Sequence, residues 1–182
     1  TLSHVDLGSV TDQNDYRVLG GMMYNITKVI HPSQCGMWAY TELTNKENEF
    51  VFALANSMLG RIHLSGDFKN INATLKKHLI DSVRMYKAYR HILHDCSVRH
   101  HSGLYYTYKN NDKIISYELR SHNDDESVIV AERTECRINN CKIKVDGLQK
   151  GTYRVEYFPE KRSEVKSSEE LACGLKFEFP TE

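Results

Sequence analysis

An excess of charge of either sign is missing from this chain of 182 residues: Lys and Arg together number 24, and so do Asp and Glu. A nucleic-acid binder ordinarily carries a basic surplus that displaces counterions from phosphates, so nucleic acid is not an expected partner. Long hydrophobic runs are missing too. No apolar stretch approaches the roughly 18 residues that a membrane helix needs, which removes the membrane from the expected partners. No charged-then-apolar leader follows Thr1, and motif-like sequence begins by Asp6, a pattern expected of a piece cut from a longer protein. Cysteine is sparse and odd in number. Cys35, Cys96, Cys136, Cys141 and Cys173 are widely scattered, which argues against a disulfide framework and fits a reducing compartment, with the cytoplasm favoured. Cys136 and Cys141 could face each other across a hairpin, but no disulfide is assigned to them. Internal repeats and low-complexity tracts are absent.

What is present suffices for a hydrophobic core, since 40% of the residues are apolar, and the length fits one ordinary domain or two small ones. The pattern of apolar residues changes near 96–102. Before that point a short strand-like run at 5–10 leads into Tyr16, Leu19, Met23, Ile26 and Ile30, whose spacing of three and four predicts an amphipathic helix. Thr11, Asp12 or Asn14 could cap its start, and Pro32 would stop it. The aromatic run Gly36-Met37-Trp38-Ala39-Tyr40 reads as a buried strand, residues 50–59 as an enclosed helix, and 61–66 as another strand. Leu75, Leu79, Val83, Tyr86 and Leu93 then mark a long helix with Lys76, Lys77, Arg84 and Lys87 on its polar side. Strand and helix alternate three times with short joins, the rhythm of a parallel α/β sheet. Three such units cannot close a barrel, but they could be the end of one.

After 102 the period becomes that of strands. Runs at 104–109, 113–121, 128–132, 142–145, 153–158 and 175–179 are short, rich in β-branched and aromatic residues, and separated by turn signals such as Asn110-Asn111-Asp112 and Asp146-Gly147. They predict a small antiparallel β-sandwich over residues 103–182, beside an α/β part over residues 1–95.

Three places could carry chemistry. In a parallel α/β sheet, functional groups gather where strands end and helices begin. The segment Thr11-Asp12-Gln13-Asn14-Asp15 falls at such a junction, and two aspartates there suit acid–base work on a glycosidic oxygen. The competing reading makes Asp12 and Asp15 helix-capping acids drawn to the free N–H groups and the dipole, and spacing alone favours it. Trp38, the sole tryptophan, could stack on a sugar ring or simply fill a core. His91, His94, Cys96, His100 and His101 are of zinc-binding types, and His91 and His94 would share a helix face, but their spacing matches no strong zinc pattern. No metal site is expected.

Taken together, these segments resemble family 36 glycoside hydrolases, the α-galactosidases also called melibiases. That family carries a Ser/Thr-Asp-x-x-Asp segment at its acid/base position, matched here by Thr11-Asp12-Gln13-Asn14-Asp15. A Gly-x-Trp-Ser/Ala-Tyr element follows in one branch, matched by Gly36-Met37-Trp38-Ala39-Tyr40. An Arg-Ile-His-x-Ser-Gly strand and a Tyr-Lys-x-x-Arg helix end come next, matched by Arg61-Ile62-His63-Leu64-Ser65-Gly66 and Tyr86-Lys87-Ala88-Tyr89-Arg90. The tail elements stand as Asp112-Lys113, Gly147-Leu148 with Tyr153-Arg154-Val155, and Gly174-Leu175. Order and spacing hold from about residue 6 to 179. Two departures are Thr11 in place of the more usual serine, and Thr41 where a proline often follows.

The resemblance implies that residues 1–95 are the last units of a (β/α)8 barrel and that residues 103–182 are its C-terminal sandwich. It implies a retaining enzyme acting on terminal α-galactosides of oligosaccharides such as melibiose or raffinose, with no cofactor. Asp12 would be the general acid/base, with Asp15 the alternative holder of that role, and Trp38 a substrate contact. The nucleophilic aspartate and most galactose-gripping residues would lie upstream of this chain, leaving the chain alone inactive. The full-length protein could be a homo-oligomer, as family members often are. A different reading of the same chain is a non-catalytic carbohydrate-binding or assembly module that uses the sandwich.

Overall fold

The computed structural model describes residues 4, 6–10, 15–40, 46–103, 114–133 and 138–179. The described residues up to His94 form one compact unit and those from Asp95 onward a second.

The first unit alternates strand and helix: β1 (Gly8–Ser9), α1 (Tyr16–Ile26), β2 (Cys35–Tyr40), α2 (Glu47–Ser57), β3 (Arg61–Ser65) and α3 (Ala73–Tyr89). The three strands lie side by side in the order β1-β2-β3, all parallel. Register places Ser9 opposite Gly36, Trp38 opposite His63, and Tyr40 opposite Ser65. Side chains alternate between the two faces of a strand, and β2 follows this from Met37 to Tyr40. Cys35, Met37 and Ala39 are fully buried, while Trp38 and Tyr40, on the alternate positions, are half-buried, and only the side-chain-less Gly36 is buried on their side. Ala39 packs with Phe50 and Leu54 of α2 and Leu75 of α3, and with Leu64 of β3. One face of the sheet is therefore the helix-covered core, and Trp38, Tyr40 and His63 belong to the other. Burying Phe50 and Leu54 completely contributes about 1.5–3 kcal/mol each.

Helix boundaries follow local chemistry. α1 is capped by Asp15, whose carboxylate accepts from the Arg17 backbone N–H at 3.0 Å. The cap expected at Thr11, Asp12 or Asn14 is thus corrected: those three residues lie outside the described segments, and Asp15 does the capping. α1 also ends at Ile26, short of Ile30, where the Thr27 hydroxyl bonds back to the Tyr24 carbonyl at 3.0 Å and competes with the helical ladder. Pro32 starts a single 3-10 turn, Pro32–Gln34, that leads into β2. α3 is capped by Asn72, which accepts from Leu75 N–H at 2.9 Å. Its far end is anchored by the Tyr89 hydroxyl, which donates to the Met58 carbonyl at 2.7 Å.

α3 stops at Tyr89, and Ile92–His94 form a 3-10 turn that buries Ile92 and Leu93. The expectation that His91 and His94 share a helix face is therefore wrong. The tighter turn is what brings both apolar neighbours inward.

The second unit is built of antiparallel pairs. β4 (Cys96–His100), β5 (Ile115–Ser121) and β6 (Ser127–Glu132) form a three-stranded sheet with β5 central. β7 (Asn140–Ile143) pairs with β10 (Leu175–Glu178), and β8 (Thr152–Glu156) with β9 (Ser163–Ser167). A one-and-a-half-turn helix, α4 (Ser168–Cys173), begins with a capping box between Ser167 and Glu170. Val145, Leu171 and Leu175 form the core here, with Ile129, Leu148, Tyr153, Val155 and Phe177 packed around them. Gly147 adopts φ +74°, the left-handed conformation that the Asp146-Gly147 turn signal predicts. The predicted strand at 104–109 lies outside the described residues, as does Cys136.

β5 is buried along both faces, so its polar side chains must satisfy one another. Arg120, fully buried, donates to Glu118 at 2.5 Å and to Ser127 at 2.7 Å, and its guanidinium also reaches Asp124 at 3.2 Å and the Asp146 carbonyl at 3.0 Å. His101 Nε2 lies 3.3 Å from the second Glu118 oxygen.

Candidate active-site face

The polar face of the parallel sheet is assembled by strand alternation. Ser9, at the end of β1, presents its hydroxyl to the indole N–H of Trp38 at 3.0 Å. The Trp38 ring stacks on Tyr40, with centroids 5.8 Å apart and planes 15° from parallel. His63, on the neighbouring strand, meets the same indole edge-on at 4.8 Å. Its Nδ1 is buried and has no hydrogen-bond partner among the described residues. Gly36 makes this packing possible: a Cβ there would lie 3.0 Å from His63 Cε1 and 3.2 Å from the Gly8 carbonyl oxygen.

Of the sequence candidates, Trp38 falls on this face, half-buried. Asp12 lies outside the described residues. The two ends of the connection that contains it are nevertheless fixed. On one side the Val10 N–H donates to the Gly36 carbonyl at 3.1 Å, continuing the pairing of β1, and on the other side Asp15 caps α1. Asp15 is further engaged by the Arg17 guanidinium, through Nε at 3.0 Å to one oxygen and a terminal nitrogen at 2.9 Å to the other. The Arg17 hydrogen bonds hold the Asp15 carboxyl below its ordinary range. A group that must arrive protonated at a glycosidic oxygen needs the opposite shift.

Ser9 was not singled out from the sequence, and Tyr40 and His63 stood there only as members of two of the motifs that carry the resemblance, without a role. The signal that could have found them is the residue two along from Trp38 and the parallel register that sets His63 opposite it. The histidines of the 91–101 stretch are not gathered: His100 stacks on Tyr117 and His101 faces Glu118. Among the described residues no group of three or more His, Cys, Asp or Glu is placed to hold a metal ion. No helix among them is long and apolar enough to cross a membrane.

A parallel α/β unit with an aromatic-polar face, followed by an antiparallel unit, is a combination found in solved structures. The chain superposes with TM-score 0.71 and 16% identity on the galactosidase domain of an α-galactosidase-sucrose kinase, AgaSK, covering 94% of this chain and 24% of that one. A variant of the family 36 α-galactosidase AgaA from Geobacillus stearothermophilus, in complex with raffinose, gives TM-score 0.72 and 14% identity over 94% of this chain and 24% of that chain. The α-galactosidase from Lactobacillus brevis gives 0.72 and 11%, with 94% and 23% covered. The chain thus has a fold found in family 36 α-galactosidases, the family its motifs resemble, and spans about a quarter of the length of these proteins. No family model and no curated protein matches the sequence.

Proposed function

We propose that this chain is the C-terminal portion of a retaining family 36 α-galactosidase, in which Asp12 is the general acid/base. Residues 1–95 are then the last β/α units of its (β/α)8 barrel, and residues 103–182 its C-terminal sandwich. The observation that carries the reading is positional. The Thr11-Asp12-Gln13-Asn14 segment joins the end of a parallel strand to the cap of the following helix, the rim where such folds concentrate catalytic groups. The fold shared with α-galactosidases over 94% of the chain supports it.

Asp12 protonates the departing glycosidic oxygen while an upstream aspartate attacks the anomeric carbon, and the same residue then deprotonates the water that releases galactose. Because the acid must stay protonated until the bond breaks, the negative charge of the nucleophile beside it works in its favour. Asp15 does not compete for the role, since Arg17 keeps its carboxyl ionised. Trp38 offers the open part of its indole to the apolar face of a sugar ring. The substrates are terminal α-galactosides of the raffinose and melibiose type, and no cofactor takes part.

One carboxylate cannot carry out double displacement. The chain by itself is therefore expected to release no phenol from an aryl α-galactoside, and to support turnover once the polypeptide that precedes it is supplied. Substantial activity of the chain alone, abolished by Asp12→Asn, would overturn the division of the site.

A further inference from the structure

We propose that Ser9 and Trp38 are positioning residues for the acid/base, acting through the hydrogen bond that ties β1 to β2. This rests on the reading of Asp12 given above. β1 is only two residues long, and its partner strand holds it through Gly8, Ser9 and the Val10 N–H. Gly8 has no side chain to contribute. The side-chain tie is the indole N–H of Trp38 donated to the Ser9 hydroxyl at 3.0 Å, across 29 positions of sequence.

Three features make this tie a positioning device. The first is proximity: Asp12 follows Ser9 by three residues, and a chain spans at most about 3.3–3.6 Å per residue, so Ser9 fixes the backbone within about 10 Å of it. The second is rigidity of the donor. The Trp38 ring is stacked on Tyr40 and met edge-on by His63, so its N–H points in one direction. The third is that the support is itself enforced, because Gly36 leaves the space that His63 and the Gly8 carbonyl occupy. An indole has a single donor and no acceptor. Committing it to Ser9 makes the polar end of Trp38 part of the scaffold and leaves only its ring for substrate.

A general acid matters in proportion to how badly the leaving group needs a proton, and a misplacement on the order of 1 Å can cost about 10²-fold in rate. Loss of the tie therefore has a signature that a merely structural residue lacks: it slows substrates with basic leaving groups more than those with acidic phenols.

The test uses the complete polypeptide that contains this chain, with raffinose and an activated aryl α-galactoside as substrates. Ser9→Ala removes the acceptor at an exposed position, and Trp38→Phe removes the donor while keeping an aromatic ring. Each is expected to lower kcat on raffinose more than on the aryl substrate, the ratio shifting about three- to tenfold, the worth of one neutral hydrogen bond. Ser9→Ala should leave KM within about twofold, Ser9→Thr should restore the ratio, and the double variant should shift it no further than either single change. Asp12→Asn is the reference. If it loses raffinose activity selectively while Ser9→Ala and Trp38→Phe match the unaltered protein, slow both substrates alike, or add, the positioning role is overturned and the acid/base assignment stands. If Asp12→Asn shows no selective loss, the acid/base assignment falls and the positioning role falls with it.

Discussion

Asp15 and Arg17 close the head of α1 on itself: the Asp15 carboxylate accepts the Arg17 backbone N–H at 3.0 Å and takes the Arg17 guanidinium on both oxygens, at 3.0 and 2.9 Å. The pair shows why two aspartates three positions apart need not share one chemistry. The Arg17 hydrogen bonds hold the Asp15 carboxyl low, and Asp15 serves the helix as its cap, a role distinct from the acid/base role proposed above for Asp12.

Replacing Asp15 with Ala is accordingly expected to act on stability. Loss of an N-cap costs about 0.5–2 kcal/mol, read as a lower unfolding midpoint. Because the folded carboxyl lies below its ordinary value of 3.8, its stabilisation is complete above that value and is lost as pH falls through the lower folded one. The difference between the unaltered protein and Asp15→Ala should therefore be constant near neutrality and vanish in strong acid.

Gly60, between α2 and β3, leaves no room for a side chain. A Cβ there would lie 2.5 Å from the Cys35 carbonyl oxygen and 3.2 Å from Met37 Cγ. Gly60→Ala must displace backbone, and overpacking of this kind costs about 1–3 kcal/mol. Chemical unfolding checks this. A variant as stable as the parent would mean that β2 and β3 are spaced more widely.

In the antiparallel unit, burial alone would raise the Glu118 carboxyl, but hydrogen bonds from His101, Ser127 and Arg120 and the Arg120 charge outweigh it and hold it lowered. Its contribution is complete above the ordinary glutamate value of 4.5 and is lost as pH falls through the lower folded value. Arg120→Met strands this carboxylate and should destabilise by about 3–5 kcal/mol at neutral pH. Adding Glu118→Gln to Arg120→Met should recover part of that loss. Unfolding midpoints of the single and double variants decide it.

The thiols separate by burial. Cys35 and Cys96 are pushed up to about 11 by desolvation, and Cys173 is exposed. Because the thiolate is the reactive form, brief alkylation of the folded protein near neutral pH should label Cys173 and spare Cys35 and Cys96. Peptide mass mapping reads the outcome, and denaturant should expose all three.

The helices α1 and α3 were legible in the sequence because their apolar residues recur with the helical period, α2 and β2 because each is a dense apolar run, and β3 as a short strand-like run after them. β4 and β9 were not. Cys-Ser-Val-Arg-His and Ser-Glu-Val-Lys-Ser each hold one β-branched residue, and Val165 is exposed, so pairing with β5 and β8 defines them where pattern does not. α4 is six residues long, too short to show a period, although its Ser167–Glu170 capping box is written in the sequence. The Ser9–Trp38 tie joins residues 29 apart and leaves no local signature, whereas the identity of Trp38 as a sole tryptophan did mark that strand.

The most direct test of the acid/base assignment is azide trapping with the complete polypeptide carrying Asp12→Asn. On raffinose the fall in kcat/KM should be about 10²–10⁴-fold, the usual worth of a general acid. On an activated aryl α-galactoside the upstream nucleophile should still form the glycosyl-enzyme, which azide, needing no base, should then capture as α-galactosyl azide with recovery of rate. Undiminished raffinose hydrolysis by Asp12→Asn, with no azide product, would contradict the assignment.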